Sequence, residues 1–131
     1  MNSNGYKEIT AQELPNAAKL IGKTWMLITA KDGDRANAMT ASWGGLGELW
    51  NTHVAFCFVR PERYTCPLIE KEERISLAFF DEENRSALTF CGRNSGRDMD
   101  KLKERLVQYA KDKHLNIREE TIDKMIKFAN N

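Results

Sequence analysis

One junction constrains this chain more than any other. Residues 54–59 are apolar at every position, and they run into Arg60-Pro61-Glu62-Arg63-Tyr64-Thr65, a proline followed by a basic and aromatic turn. An apolar run on both faces suits a buried central strand better than a half-exposed one. Pro61 has no N–H to give to a ladder, so the strand ends there. Arg63, Tyr64 and Thr65 then open a helix predicted to run to about Glu70, so that backbone N–H groups, a hydroxyl and guanidinium groups converge where an anion is stabilised. Upstream, Asn37, Met39, Thr40, Ala41, Ser42 and Trp43 read as an extended run of small or β-favouring residues, which Gly44, Gly45 and Gly47 then break. A strand of small side chains lets a flat ligand lie close to the backbone.

Each part has a plainer reading. A tryptophan in a strand is usually core, a glycine-rich run is usually a turn, and two arginines near a helix start are usually solvated.

The three blocks NAMTASWGGLG, FVRPERYT and CGRNSGRDMDK, in that order and at about this spacing, resemble the flavin reductase-like family of the FMN-binding split barrel. The resemblance covers roughly residues 20–102. It implies an antiparallel split barrel in an α+β, mainly β, domain with flanking helices, a non-covalently bound FMN, NAD(P)H as co-substrate, and a homodimer. The flavin ring is implied along Asn37, Met39, Thr40, Ala41, Ser42 and Trp43. The phosphate is implied near Arg60, Pro61, Arg63, Tyr64 and Thr65 and near Ser95, Gly96 and Arg97. Asp98 and Lys101 carry over from the third block, with Asp98 and Asp100 orienting the cations.

Composition sets the outer bounds. The chain has 131 residues, 41% hydrophobic and 30% charged, which fits one domain with a real core, residues 1–131. Lysine and arginine number 20 against 19 acidic residues, so a net charge of +1 gives no electrostatic case for nucleic acid or an acidic membrane surface. No apolar run approaches the roughly 20 residues that cross a bilayer, and residues 1–10 carry no signal-like core, so a cytoplasmic protein is expected. Cys57, Cys66 and Cys91 are odd in number and lack CxxC spacing, which fits reduced thiols. Cys57 reads as core. Cys66, in the first turn of a helix behind cations, has the setting that lowers a thiol pKa, although a bystander is the commoner case. Neither His53 nor His114 has a partner at a triad or metal-ligand spacing, which leaves hydrolase and metalloenzyme readings without an anchor.

The remaining elements follow from period and punctuation. A helix is predicted over residues 13–21, with a capping box from Thr10 to Glu13 and Gly22 as its stop. Residues 24–30 (TWMLITA) read as a strand that turns at Lys31-Asp32-Gly33-Asp34 onto the strand from Asn37. A further strand is predicted over 74–81, with Phe79 and Phe80 on opposite faces, and a short helix over 86–92. Arg93-Asn94-Ser95-Gly96-Arg97-Asp98 is a polar loop suited to an anion.

From Met99 the period becomes helical: Met99, Leu102, Leu106, Tyr109 and Ala110 share one face, and Ile122, Met125, Ile126 and Ala129 form a second stripe. The family normally adds strands here that complete the barrel, whereas this sequence gives two charged helices. Three arrangements stay open: a truncated or rearranged barrel, helices that cover the open sheet edge, or a partner copy that supplies the pairing.

The function implied is hydride transfer from NAD(P)H to bound FMN and onward to a second acceptor. The alternative is an FMN-bearing electron-transfer module of the flavoredoxin type, which exchanges electrons with a redox protein partner. A shortened domain that no longer binds flavin is the third reading.

Overall fold

Pro15 sets how the fold begins. The structure, a computed structural model, describes residues 8–33 and 35–112. Where the sequence predicts one helix over 13–21, a 3-10 turn at Ala11–Glu13 precedes the proline, and α1 (Ala17–Lys19) follows it and passes into a π-helical turn, Leu20–Thr24. Proline cannot donate, and it biases the residue before it away from helix, so the two pieces separate. The Glu13 carboxylate accepts from the Thr10 N–H at 2.8 Å, as the capping-box reading requires. Asn16 caps α1 by accepting from the Lys19 N–H at 3.1 Å. Gly22 lies inside the π-helical turn and does not stop it.

The elements that follow are β1 (Met26–Asp32), β2 (Arg35–Ala41), β3 (Gly44–Leu49), β4 (Thr52–Cys57), α2 (Thr65–Glu72), β5 (Ser76–Ala78), α3 (Arg85–Arg93) and α4 (Lys101–Asp112). They make a small α+β arrangement with antiparallel sheets. β1 and β2 form the expected hairpin, in register from Met26 opposite Ala41 to Asp32 opposite Arg35, and β5 pairs with the other side of β1. β3 and β4 form a second, two-stranded sheet. Among the described residues no pairing joins the two sheets, so closure into a barrel is not seen. The second apolar stripe at Ile122, Met125, Ile126 and Ala129 lies outside the described residues, as does His114.

Ile21, Met26, Ile28 and Met39 form the core, with Leu46, Cys57, Val59, Ile69, Leu77 and Phe79 packed around it. Full burial of side chains of this size stabilises by roughly 1.5–3 kcal/mol each. Alternation puts Met26, Ile28 and Ala30 of β1 on the same face as Ala41, Met39 and Asn37 of β2, because residues directly opposite in an antiparallel pair share a face. The other face of β2 carries Thr40, whose hydroxyl donates to the Leu88 carbonyl of α3 at 2.5 Å.

Five expectations need correcting here. β2 stops at Ala41, leaving Ser42 and Trp43 outside it, and Gly44, Gly45 and Gly47 do not break a strand but build β3. Gly44 has φ +154°, and a Cβ there would collide with the Phe56 carbonyl and lie 3.1 Å from Met26 Cε, so only glycine lets the two chains approach. The apolar run at 54–59 is not a buried central strand. β4 has one partner, and Phe56 and Phe58 stay 47% and 66% exposed. The turn between β3 and β4 is Trp50-Asn51, with φ of 50° and 59°, the primed geometry that suits a two-residue hairpin. Lastly, the strand expected over 74–81 shortens to Ser76–Ala78, and Cys57 sits half-buried at the end of β4, against the core but not inside it.

Candidate functional site

The chain before α2 is tied to β2 by one buried hydrogen bond. Asn37 Nδ2 donates to Thr65 Oγ1 at 2.8 Å, with Asn37 3% and Thr65 0% exposed. A polar pair buried to this depth is stable only because each satisfies the other. It fixes the first residue of α2 beside the third residue of β2, and the turn Arg60–Tyr64 leads directly into that contact. The Arg63 N–H bonds the Arg60 carbonyl and the Cys66 N–H bonds the Arg63 carbonyl, both at 3.0 Å. Pro67 falls in the first helical turn, where its missing N–H would have no partner anyway.

The third block folds against this turn from the other side. Ser95 accepts from the Arg97 N–H at 3.2 Å, and Arg97 Nη1 donates to the Glu62 carbonyl at 2.7 Å while its guanidinium lies 5.6 Å from the Tyr64 ring centroid. Lys101, 3% exposed, donates from Nζ to the carbonyls of Cys91 and Asn94, each at 3.0 Å. Burial pushes its pKa down, with the nearby Arg63 guanidinium acting in the same direction. Gly96 allows this closure: a Cβ there would collide with Asn37 Oδ1 and sit 2.5 Å from Tyr64 Cδ1.

Between the three blocks lies a cavity of about 470 Å³. Asn37 and Met39 form its floor, the turn contributes Arg60, Glu62, Arg63, Tyr64 and Thr65, and Gly92 to Arg97 with Lys101 close it. Four arginines and a lysine face one carboxylate. Among the described residues the side chains of Arg63 and Arg93 have no hydrogen-bond or ion-pair partner, so both guanidiniums are available to an anion. A second cavity of about 220 Å³ adjoins it and shares Met39, Arg60 and Arg63; its other walls are Thr40, Ala41, Ser42, Trp43 and Phe58. The pair therefore offers a cationic end, rich in hydrogen-bond donors, and a shallower end with two aromatic rings. Those features fit an anionic group joined to a flat ring.

Of the residues expected from sequence, Asn37, Met39, Thr40, Ala41, Ser42, Trp43, Arg60, Arg63, Tyr64, Thr65, Ser95, Gly96, Arg97 and Lys101 line one cavity or the other. Pro61 and Asp98 line neither. Pro61 only ends the apolar run, and the Asp98 N–H helps close the loop by bonding the Ser95 carbonyl at 3.1 Å. Sequence reasoning left out Phe58, Glu62 and Gly92 as ligand contacts, although all three stand inside the quoted blocks; Arg93 and Asn94 belong to the polar loop read as suited to an anion.

For Cys66 the commoner, bystander reading is the one the surroundings fit, while His53 gains a neighbour that sequence spacing did not suggest. Burial, together with the Glu70 and Glu62 carboxylates, raises the Cys66 pKa, the opposite of an activated thiol; Sγ lies 3.7 Å from Glu70 Oε1. His53 does have an acidic neighbour, since its Nδ1 pairs with Glu48 across the β3–β4 hairpin. Among the described residues no cluster of three or more His, Cys, Asp or Glu could hold a metal, and no helix is long and apolar enough to cross a membrane.

No curated protein and no solved structure matched the chain. The family model described as "Flavin reductase like domain" matches residues 18–119, most of the chain and some way beyond the third block. With that match spanning all three blocks that line the two cavities, the chain belongs to the flavin reductase-like domain family, whose chemistry is flavin-related oxidoreduction.

Proposed function

We propose that this chain binds FMN in the two joined cavities and works as an NAD(P)H-dependent flavin reductase, as a homodimer in the cytoplasm. The observation that carries this reading is the meeting of a cationic cavity and an aromatic-walled one along β2, with Arg60 and Arg63 common to both.

When bound, the flavin would supply the redox chemistry, taking a hydride from reduced nicotinamide and passing electrons to a second acceptor. The protein's own part is binding and electrostatics. Arg63 and Arg60 are placed to hold a phosphate, assisted by the N-terminus of α2 and by the donors of the loop Asn94 to Arg97. Lys101 ties the carbonyls of Cys91 and Asn94 together and keeps that loop turned toward the cavity. Met39 and Ala41 offer a narrow wall along β2, and Trp43 and Phe58 stand at the open end. Cations shared by the two cavities favour negative charge on whatever occupies the ring end. No acid–base side chain is needed, in keeping with a site poor in histidine and in carboxylates.

A homodimer is supported by the β3–β4 hairpin, which leaves Trp43, Leu49, Trp50, Phe56 and Phe58 exposed on and beside a sheet with two strands. A second reading, an FMN-bearing electron-transfer module, draws on the same fact: Trp43 at 76% and Phe58 at 66% exposure leave the ring end open enough for a redox protein to dock.

The first test is the visible absorption spectrum after FMN is added and the unbound excess removed. Retained flavin bands support the site, and a colourless protein defeats it. Stopped-flow mixing with NADH and with NADPH then separates the two readings. Bleaching within seconds supports the reductase, whereas bleaching by dithionite alone leaves the electron-transfer module.

A further inference from the structure

Asp32 ends β1 directly opposite Arg35, the first residue of β2, and its side chain is only 10% exposed. Its Oδ1 meets the Lys71 ammonium of α2 at 2.6 Å, and its Oδ2 accepts from Arg35 Nη2 at 2.8 Å. The hydrogen bonds from Lys71 and then Arg35 hold the Asp32 carboxyl below the usual carboxylate range. Neither Asp32 nor Arg35 lines the cationic cavity or the ring cavity. Arg35 nevertheless reaches the first of them, because its other terminal nitrogen, Nη1, donates to the Tyr64 hydroxyl at 3.4 Å. Tyr64 is a wall of that cavity, and the Arg97 guanidinium lies 5.6 Å from its ring centroid while Arg97 Nη1 is bonded to the Glu62 carbonyl. One guanidinium thus spans from a carboxylate at the hairpin end to a phenol in the cavity wall, which a planar fork of donors can do and a single ammonium cannot.

We propose, building on the flavin reading above, that Arg35 is a positioning residue for the cationic cavity: Asp32 orients its guanidinium, and the guanidinium fixes the Tyr64 ring against which Arg97 rests. An exposed ion pair contributes little to stability, so the Asp32–Arg35 pair is a weak staple for the fold. Its geometric effect is the larger one. On one side the Tyr64 ring meets Gly96, where a Cβ would lie 2.5 Å from Cδ1, and at its far end the hydroxyl is held by Arg35. Held at both places, the ring gives Arg97 a fixed surface and keeps it in the cavity wall. Lys71 stands outside this route, since it ties Asp32 only to the last turn of α2.

The test is a set of FMN titrations on the wild type, Arg35→Lys, Tyr64→Phe, the two combined, and Lys71→Met, with a denaturation midpoint for each flavin-free protein. Arg35→Lys keeps a charge beside Asp32 but cannot also reach Tyr64, so FMN affinity should fall about three- to tenfold, the scale of one hydrogen bond, at an unchanged midpoint. Tyr64→Phe should show a loss of its own, and the combined variant should lose no more than the larger of the two, as residues that act through one contact do. Lys71→Met breaks only the tie to α2 and should bind FMN as the wild type does. Wild-type affinity in Arg35→Lys, losses that add in full, or a loss in Lys71→Met as large as in Arg35→Lys overturns the positioning role and leaves the FMN reading standing. So does a fall in the Arg35→Lys midpoint that matches its loss of affinity. A wild-type protein that binds no FMN overturns both.

Discussion

Asn37 Nδ2 donates to Thr65 Oγ1 across 28 positions of sequence, at 2.8 Å and out of contact with water. Thr65 therefore has a structural duty before any ligand arrives, and its substitution reports on both. Thr65→Val keeps the shape but leaves the Asn37 amide buried without its acceptor, a loss of about 1–3 kcal/mol. Chemical denaturation should show this as a lower midpoint. Thr65→Ser, which restores the oxygen, should recover most of it; a valine variant as stable as the wild type would mean that the buried bond contributes nothing.

Arg63 differs from Thr65 in that no described residue uses its guanidinium. Arg63→Ala should weaken FMN binding by about 1.5–3 kcal/mol, the range for a charge-assisted bond, with the unfolding midpoint of the flavin-free protein little changed. Lower affinity at constant stability is the signature of a ligand contact. An unchanged dissociation constant would remove Arg63 from the phosphate site.

Gly96 is a steric requirement with a functional consequence. A Cβ at this position meets Asn37 Oδ1 and Tyr64 Cδ1, neither of which sits at the end of a flexible chain, so Gly96→Ala must push the loop at 94–97 away from the Arg60–Tyr64 turn. The displacement costs on the order of 1–3 kcal/mol of overpacking, and it moves Arg97 off the Glu62 carbonyl. Denaturant unfolding should show a lower midpoint, and flavin titration a weaker complex. Gly22, with open space around it, is the control and should tolerate alanine.

How far the sequence revealed this depended on the range of the forces involved. The hairpin of β1 and β2, α2 behind Pro61 and α3 were legible because their signals are local: a Gly-containing turn, a proline and an apolar period. The residues that line the cavities were legible through three short blocks that the fold brings together. The burial of residues 54–59 was misjudged because apolarity reports what a strand could bury, and Phe56 and Phe58 have nothing described to bury against. The glycines of β3 were misread for a similar reason, since the close approach of Gly44 to Phe56 joins positions whose proximity no local pattern announces. Arg93 was legible as part of a polar loop suited to an anion, but that it shares a cavity with Arg60 and Arg63 is a long-range fact that only the fold shows.

Lys101 gives the site a dependence on pH whose sign can be worked out. Its folded pKa is pushed below the ordinary 10.5 by burial, so over the range between the lowered value and 10.5 the unfolded chain binds the proton more fully than the folded one. Stability tied to this group therefore rises as pH rises through that range, and below the lowered value the burial penalty is fully present. Ligand affinity should move the other way. As Lys101 loses its proton, Nζ no longer adds positive charge to the cationic cavity, and its hold on the Cys91 and Asn94 carbonyls weakens. FMN affinity should fall over the same alkaline range. Lys101→Met, close in length and neutral, should abolish both slopes while lowering affinity at neutral pH. Denaturation midpoints and FMN dissociation constants, each measured from about pH 7 to about pH 10, read the two slopes independently. If both slopes persist in the methionine variant, Lys101 is not the titrating group.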